Sequence, residues 1–287
     1  MFFHQIVLNL AARWHFNAFL NSIDPTGSLF DLTDPAVVQQ LQTQADIQSY
    51  ASLYMSLIVI PVYIIYLWAR HRMTKSMPSL ERVGASDFLA GLSVITGSLG
   101  IVTLWMVFLH LIAERAEVVK DMLDDYRDLA TQLVPDQSNP WIVFLALVIL
   151  VPIAEELLFR GIVQGEMMQV IPEKWAIVVT LVLFSLFHMN PVQISYVIIP
   201  AFALSLVYTL TKNLFIPIVM HMWFNFVGSG FLARLTGDPE QTAEVLFFTQ
   251  MLFILIGTFA AVHLYGKRKR ARLATNQGDI DENINHF

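Results

Sequence analysis

Glu155, Glu156 and Arg160 stand in the stretch AEELLFRG (154–161), and the run WIVFLALVILVPIA (141–154) leading into it carries no charge. A charged side chain near the centre of a bilayer costs about 2.5–3.5 kcal/mol on insertion scales. Three such groups within a turn and a half therefore require partners and a purpose. On a helix, residues four apart share a face while neighbours diverge by about 100°. Arg160 is thus expected to pair with Glu156, leaving Glu155 pointing elsewhere. One carboxylate becomes a counter-ion and the other is free to take a proton. A buried Glu–Arg pair that only fixes helix packing is the competing account of these residues taken alone. Pro152, just before them, removes a backbone hydrogen bond and loosens the helix beside the pair.

Two further stretches weaken that account. FSLFH (184–188) puts Phe184 and His188 on one helix face, and HMWFN (221–225) does the same for His221 and Asn225. A single intramembrane histidine is more often a packing residue than a catalyst. Two on separate helices, with an amide one turn away, suit a polar site better. Two imidazoles, a carboxylate and an amide supply what amide hydrolysis needs: a base for water, an acid for the leaving amine, and donors for the oxyanion. The set Glu155, His188 and His221 could equally hold a zinc ion in a His₂Glu site with an open position. No HExxH, Ser-Lys or Gly-Xaa-Ser-Xaa-Gly arrangement is present.

EELLFR, FSLFH and HMWFN, in this order on successive apolar segments, resemble the three motifs EExxxR, FxxxH and HxxxN of the CPBP intramembrane proteases (the CAAX proteases and bacteriocin-processing enzymes). The resemblance covers about 141–231; the first two spans and the last match nothing specific. It implies an all-α membrane peptidase in which Glu155 and His188 activate water. It further implies that His221 and Asn225 stabilise the oxyanion, with Glu156, Arg160 and Phe184 in support. Whether a metal takes part is left open by the motifs.

These residues need an apolar container, and the composition supplies one. Of 287 residues, 56% are hydrophobic and 14% charged, with no cysteine. That excludes disulfides, thiolate nucleophiles, thiolate zinc sites and prenylation of this chain itself. The sequence reads as an all-α polytopic bundle of about seven spans: 50–69, 88–112, 141–163, 175–189, 193–211, 214–231 and 246–266. Each lies near the ~20 residues needed to cross ~30 Å of hydrocarbon. Residues 1–20, interrupted by His4, Arg13 and His15, read as an interfacial helix, and 114–133 as an acidic surface helix continuing the second span. The divisions expected are an N-terminal external segment (1–48), two spans with the acidic helix (49–136), a catalytic membrane core (137–270) and a disordered tail (271–287).

Arg70, Arg72, Lys75 and Arg82 in one loop, and Lys267, Arg268, Lys269, Arg270 and Arg272 after the last span, fall on the same side of a seven-span threading. The positive-inside rule makes that side cytoplasmic, with the N-terminus out and the C-terminus in. The acidic outer segments and seven-span layout point to a bacterial cytoplasmic membrane. Depth fits less well. At ~1.5 Å per residue, Glu155 lies roughly 23 Å from the outer end of its span and His221 roughly 10 Å from the inner end of its own. His188 lies roughly 20 Å from the inner face if its helix begins at 175.

The leading reading is an endopeptidase acting on a membrane-associated or lipidated peptide or protein. The rivals are a non-proteolytic scaffold or bacteriocin-immunity protein of the same fold, and a proton-coupled transporter. The transporter would show paired pseudo-symmetric halves, which this sequence lacks. The partners expected are a peptide or membrane-protein substrate and the bilayer, with no nucleic acid. Gly228 and Gly230 are expected to permit close helix contact.

Overall fold

The computed structural model describes all residues except 1, 29, 75–79, 134–137 and 285–287. The described chain is all helix: α1 (Phe2–Ile23), α2 (Pro35–Gln44), α3 (Ile47–Thr74), α4 (Ala85–Ala113), α5 (Glu117–Leu133), α6 (Pro140–Met167), α7 (Glu173–Leu186), α8 (Pro191–Thr211), α9 (Phe215–Gly228), α10 (Phe231–Thr236) and α11 (Pro239–Ile284). Five of them, α3, α4, α6, α8 and α11, are long and apolar enough to cross a membrane. The other two segments expected to span, α7 and α9, have 14 residues each, or roughly 21 Å at 1.5 Å per residue. The acidic helix α5 is set off from α4 by a short break at 114–116 instead of continuing it. Helix α11 runs on through Ile284, past the point where the sequence suggests a disordered tail.

Local chemistry explains where the central helices begin. Asn139 accepts a hydrogen bond from the Trp141 amide and is followed by Pro140 at the first helical position; Asn190 and Pro191 do the same for α8 through the Gln193 amide. Both pairs combine a side-chain cap with a residue that has no amide to satisfy. Before α9 the chain turns through Lys212 at φ 48°, and Asn213 takes the Phe215 amide on its side-chain oxygen.

Close helix contact is made by glycines other than the two expected. A Cβ on Gly97 would stand 2.5 Å from the Phe253 carbonyl oxygen, and one on Gly257 would stand 2.6 Å from that of Ser93. These residues let α4 and α11 touch along their backbones, as small residues do between helices in lipid. Gly228 and Gly230 have nothing within 4 Å of a Cβ. Gly230 is instead a turn residue at φ +71°.

The basic residues gather at one end of the bundle. Arg70 pairs with Glu166 at 2.6 Å, Lys212 with Glu173 at 2.8 Å and Lys267 with Asp87 at 2.7 Å. Arg268 reaches Glu81, and Arg272 reaches Glu173. The end of α3, the start of α4, the ends of α6 and α8 and the basic stretch of α11 therefore lie together. Helix α1 packs antiparallel along α3, with His15 stacked on Tyr50 and Trp14 edge-on to Tyr54. The core between α1, α3, α6, α7 and α8 includes Val7, Val59, Phe159, Phe184 and Ala201.

Candidate active site

Helix α6 departs from regular α geometry on both sides of the two glutamates. Residues Phe144–Leu150 and Leu157–Gln164 are wound as π-helix, with Val151–Glu156 as α-helix between them. Pro152 accounts for part of this. The Val151 amide reaches back to the Ala146 carbonyl, five residues earlier. In that register the Leu147 carbonyl would be served by residue 152, a proline without an amide hydrogen. The Asn225 side chain fills the vacancy, donating from Nδ2 to Leu147 O at 2.8 Å. π-Helical turns of this kind recur at functional sites.

Glu156 and Arg160 are both 0% exposed. Arg160 Nη1 donates to Glu156 Oε1 at 2.6 Å, and Nη2 donates to the Ala201 carbonyl at 3.1 Å. The guanidinium also lies over the Phe184 ring, 4.6 Å from its centroid, a favourable placement for a desolvated cation. The same Glu156 oxygen accepts a second bond, from His221 Nδ1 at 2.8 Å. Glu156 Oε2 has no partner although it is buried. The other imidazole nitrogen of His221 faces Glu155, with Nε2 3.7 Å from Oε2. Arg160, Glu156, His221 and Glu155 therefore form one chain of contacts, all of it buried.

Phe184 is the hub of the surrounding rings. Phe159 meets it edge-on at 4.9 Å, His188 at 5.1 Å and His221 at 5.8 Å. Counting from Glu173 at the basic end, Phe184 lies roughly 16 Å along α7, and Glu155 lies the same number of residues from Glu166 on α6. That level agreement explains why Phe184, and not His188, sits against the charged cluster. Helix α7 ends at Leu186, so His188 falls in the turn beyond it, one turn farther from the basic end. There its Nδ1 lies 2.9 Å from the Phe184 carbonyl. A carbonyl only accepts, so Nδ1 carries a proton in this bond. His188 is bonded to neither glutamate.

The expected grouping is thus assembled around Glu155, Glu156, Arg160, Phe184 and His221. Asn225 is tied to it through Leu147, and His188 through the Phe184 ring. The zinc set Glu155, His188 and His221 is not gathered. Among the described residues, no three His, Asp or Glu side chains lie close enough to hold a metal ion. His221 has committed Nδ1 to Glu156, and His188 stands one turn away. This donor arrangement does not fit a tetrahedral zinc site.

Gln164 is a site neighbour that the three motifs do not contain. It is fully buried, and its Nε2 donates to the Ser205 carbonyl at 3.2 Å and to Thr209 Oγ1 at 2.9 Å. Arg160 and Gln164, one turn apart, thereby hold Ala201 and Ser205, one turn apart on α8. The spacing Glu156, Arg160, Gln164 marks a continuous polar stripe that the sequence could have revealed.

Comparison with known families agrees with this placement. Residues 137–227 match the model described as Type II CAAX prenyl endopeptidase Rce1-like. No curated protein and no solved structure matches the chain. The matched segment begins just before α6 and ends within α9, so it contains every residue of the buried cluster. The chain is thus a polytopic membrane protein with a segment similar to the Rce1-like CAAX endopeptidases, and its buried His221–Glu155/Glu156 cluster is consistent with a peptidase active site.

Proposed function

We propose that the protein is an intramembrane endopeptidase, hydrolysing a peptide bond in a membrane-associated or lipidated peptide or protein. The observation that carries this reading is the buried relay from Arg160 through Glu156 and His221 to Glu155. Two carboxylates and one guanidinium leave a single negative charge in an apolar interior. A protonated His221, lying between both carboxylates, balances it.

In this state Glu155 is the base. Its carboxylate takes a proton from a water molecule, and the resulting hydroxide adds to the carbonyl carbon of the scissile bond. Negative charge then develops on the carbonyl oxygen. His221 Nε2–H and the second Nδ2 hydrogen of Asn225 are the donors offered to it, where such bonds count most. The Glu155 carboxylic acid next returns its proton to the amide nitrogen as the C–N bond breaks, leaving a free amine and a carboxyl group. His188 Nε2 is the further acceptor offered to the water or the departing amine. Glu156 and Arg160 hold His221 in place.

The orientation proposed is N-terminus out and C-terminus in, across a bacterial cytoplasmic membrane, with residues 137–270 as the catalytic core. Support comes from the gathering of Arg70, Lys212, Lys267, Arg268 and Arg272 at one end of the bundle. The function is tested by comparing peptide termini in membrane fractions from cells carrying the wild type or Glu155→Ala. The expected result is a set of new termini, within or beside membrane segments or lipidated tails, that vanish in the variant. Identical sets of termini would refute peptidase activity.

A further inference from the structure

The ion pairs at the basic end of the bundle leave cations over. Glu81, Asp87, Glu166 and Glu173 are each already held there, Glu173 by two partners, Lys212 and Arg272. Arg72, Lys174, Lys269 and Arg270 are exposed at the same end and have no carboxylate partner among the described residues. Two of them lie over exposed indoles instead. Arg72 stands 5.3 Å from the Trp68 ring centroid, and Lys174 stands 5.9 Å from that of Trp175. Exposed tryptophans at the ends of spans belong at the headgroup level of a membrane. The surplus charge also ends two apolar tracks. On α11, Val262, Tyr265 and Lys269 are spaced three and four residues apart and so share one face; the first two are exposed. On α7, Trp175, Val178 and Val182 follow the same spacing and are likewise exposed, with Lys174 folded over the indole. The tracks meet where Arg272 of α11 reaches Glu173 of α7.

We propose that the basic end of α7 and α11 is a binding surface for anionic phospholipids. Acyl chains lie on the apolar tracks, and the phosphate meets Lys174, Lys269 and Arg270. Lys269 stands one turn beyond Tyr265, roughly 6 Å along the axis, where the head of a lipid resting on that face would be. A zwitterionic lipid brings the same phosphate together with an ammonium group that cancels it, so the surplus cations select lipids of net negative charge. A soluble anion satisfies the cations but leaves the tracks uncovered. The surface lies apart from the buried cluster and holds whatever reaction that cluster performs.

The test uses full-length protein in a non-ionic detergent and a fluorescent phosphatidylglycerol, displaced by unlabelled lipids. Each Lys or Arg beside an anionic headgroup is worth about fivefold in affinity. With three such cations, phosphatidylglycerol should displace the probe at a concentration on the order of 10²-fold below that of phosphatidylcholine. The triple replacement Lys174→Gln, Lys269→Gln, Arg270→Gln alters exposed side chains only and should melt with the wild type, while bringing the two lipids within about fivefold of each other. Arg127→Gln, on the acidic helix α5, should keep the full preference. In 1 M salt, where the Debye length is about 3 Å, the wild-type preference should shrink. The proposal is overturned if the two lipids displace the probe equally from the wild type, if the preference survives the triple replacement or high salt, or if Arg127→Gln abolishes it. Displacement by glycerol 3-phosphate or a soluble polyanion at the concentration at which phosphatidylglycerol acts overturns it too, because that site would need no acyl chain. A triple variant that melts early hands the decision to the three single replacements, each of which must cost about fivefold.

Discussion

Replacing Glu156 and Glu155 separately by glutamine should give two different kinds of damage. Glu156 Oε1 accepts from Arg160 at 2.6 Å and from His221 at 2.8 Å, and neither Glu156 nor Arg160 is exposed at all. Glu156→Gln removes the negative charge and leaves the guanidinium with a carbonyl, a phenyl face and the neutral amide. Breaking a buried pair in this way typically costs about 3–5 kcal/mol. With about 2–4 °C of melting temperature per kcal/mol for a chain of this order of size, the loss should be on the order of 10 °C. Glu155 is different. Its 3.7 Å separation from His221 Nε2 is longer than a hydrogen bond, so Glu155→Gln forfeits no bonded contact. It should melt within about 2 °C of the wild type, the shift expected from under 1 kcal/mol, yet lose roughly 10²–10⁴-fold in rate, the usual loss with a general base. Melting of the detergent-solubilised variants and the loss of Glu155-dependent termini in membrane fractions decide the matter. A double replacement, Glu156→Leu with Arg160→Met, separates charge from shape. It should recover most of the stability, because removing both members of a buried pair is often neutral, while remaining inactive. The reasoning is refuted if Glu155→Gln is the variant that fails to accumulate, if it stays near wild-type activity, or if Glu156→Gln melts with the wild type.

Two other expectations follow from the geometry. Pro152→Ala returns an amide hydrogen to the Leu147 carbonyl and so competes with Asn225 for it. Stability should hold or rise, since proline is the poorest residue in a helix interior, while cleavage falls by up to about 10²-fold through misplacement of Asn225; unchanged kcat would contradict the role given to that bond. For topology, the cysteine-free chain allows single cysteines to be placed in the 70–82 loop and after Lys267. Both should resist an impermeant thiol reagent in intact cells and react after lysis, and labelling of either from outside would overturn the orientation.

The parts of the site that depend on one helix were legible in the sequence. The Glu156–Arg160 pair follows from a spacing of four, and the capping of α6 and α8 follows from Asn-Pro. What depends on two helices was not. The sequence marks His221 as a candidate, but its bridge between Glu156 and Glu155 depends on how α9 is rotated against α6, which no local pattern records. The π-helical turns are also invisible to a 3.6-residue period, although Pro152 hinted at them. The depth mismatch of His188 is a property of the molecule: α7 begins at Glu173 and stops at Leu186, so the residue sits in the following turn, one turn beyond Phe184. The glycines were misjudged for a related reason. Gly97 and Gly257 matter because of what lies opposite them on another helix, while Gly228 and Gly230 face open space.

The shortness of α7 and α9 has a consequence for the lipid. A 14-residue helix offers roughly 21 Å of apolar length to a hydrocarbon layer about 30 Å thick. Acyl chains touching these two helices must compress, tilt or withdraw, at a cost of a fraction of a kcal/mol for each ångström of mismatch. The helices that carry Phe184 and His221 are therefore where a bilayer around this bundle is expected to be thinnest. A peptide bond would have to shed less hydration to arrive there than at the flank formed by α4 and α11, which are long enough to cross the whole layer. The two short helices thus give the molecule a preferred face for meeting a chain held at the lipid–water boundary.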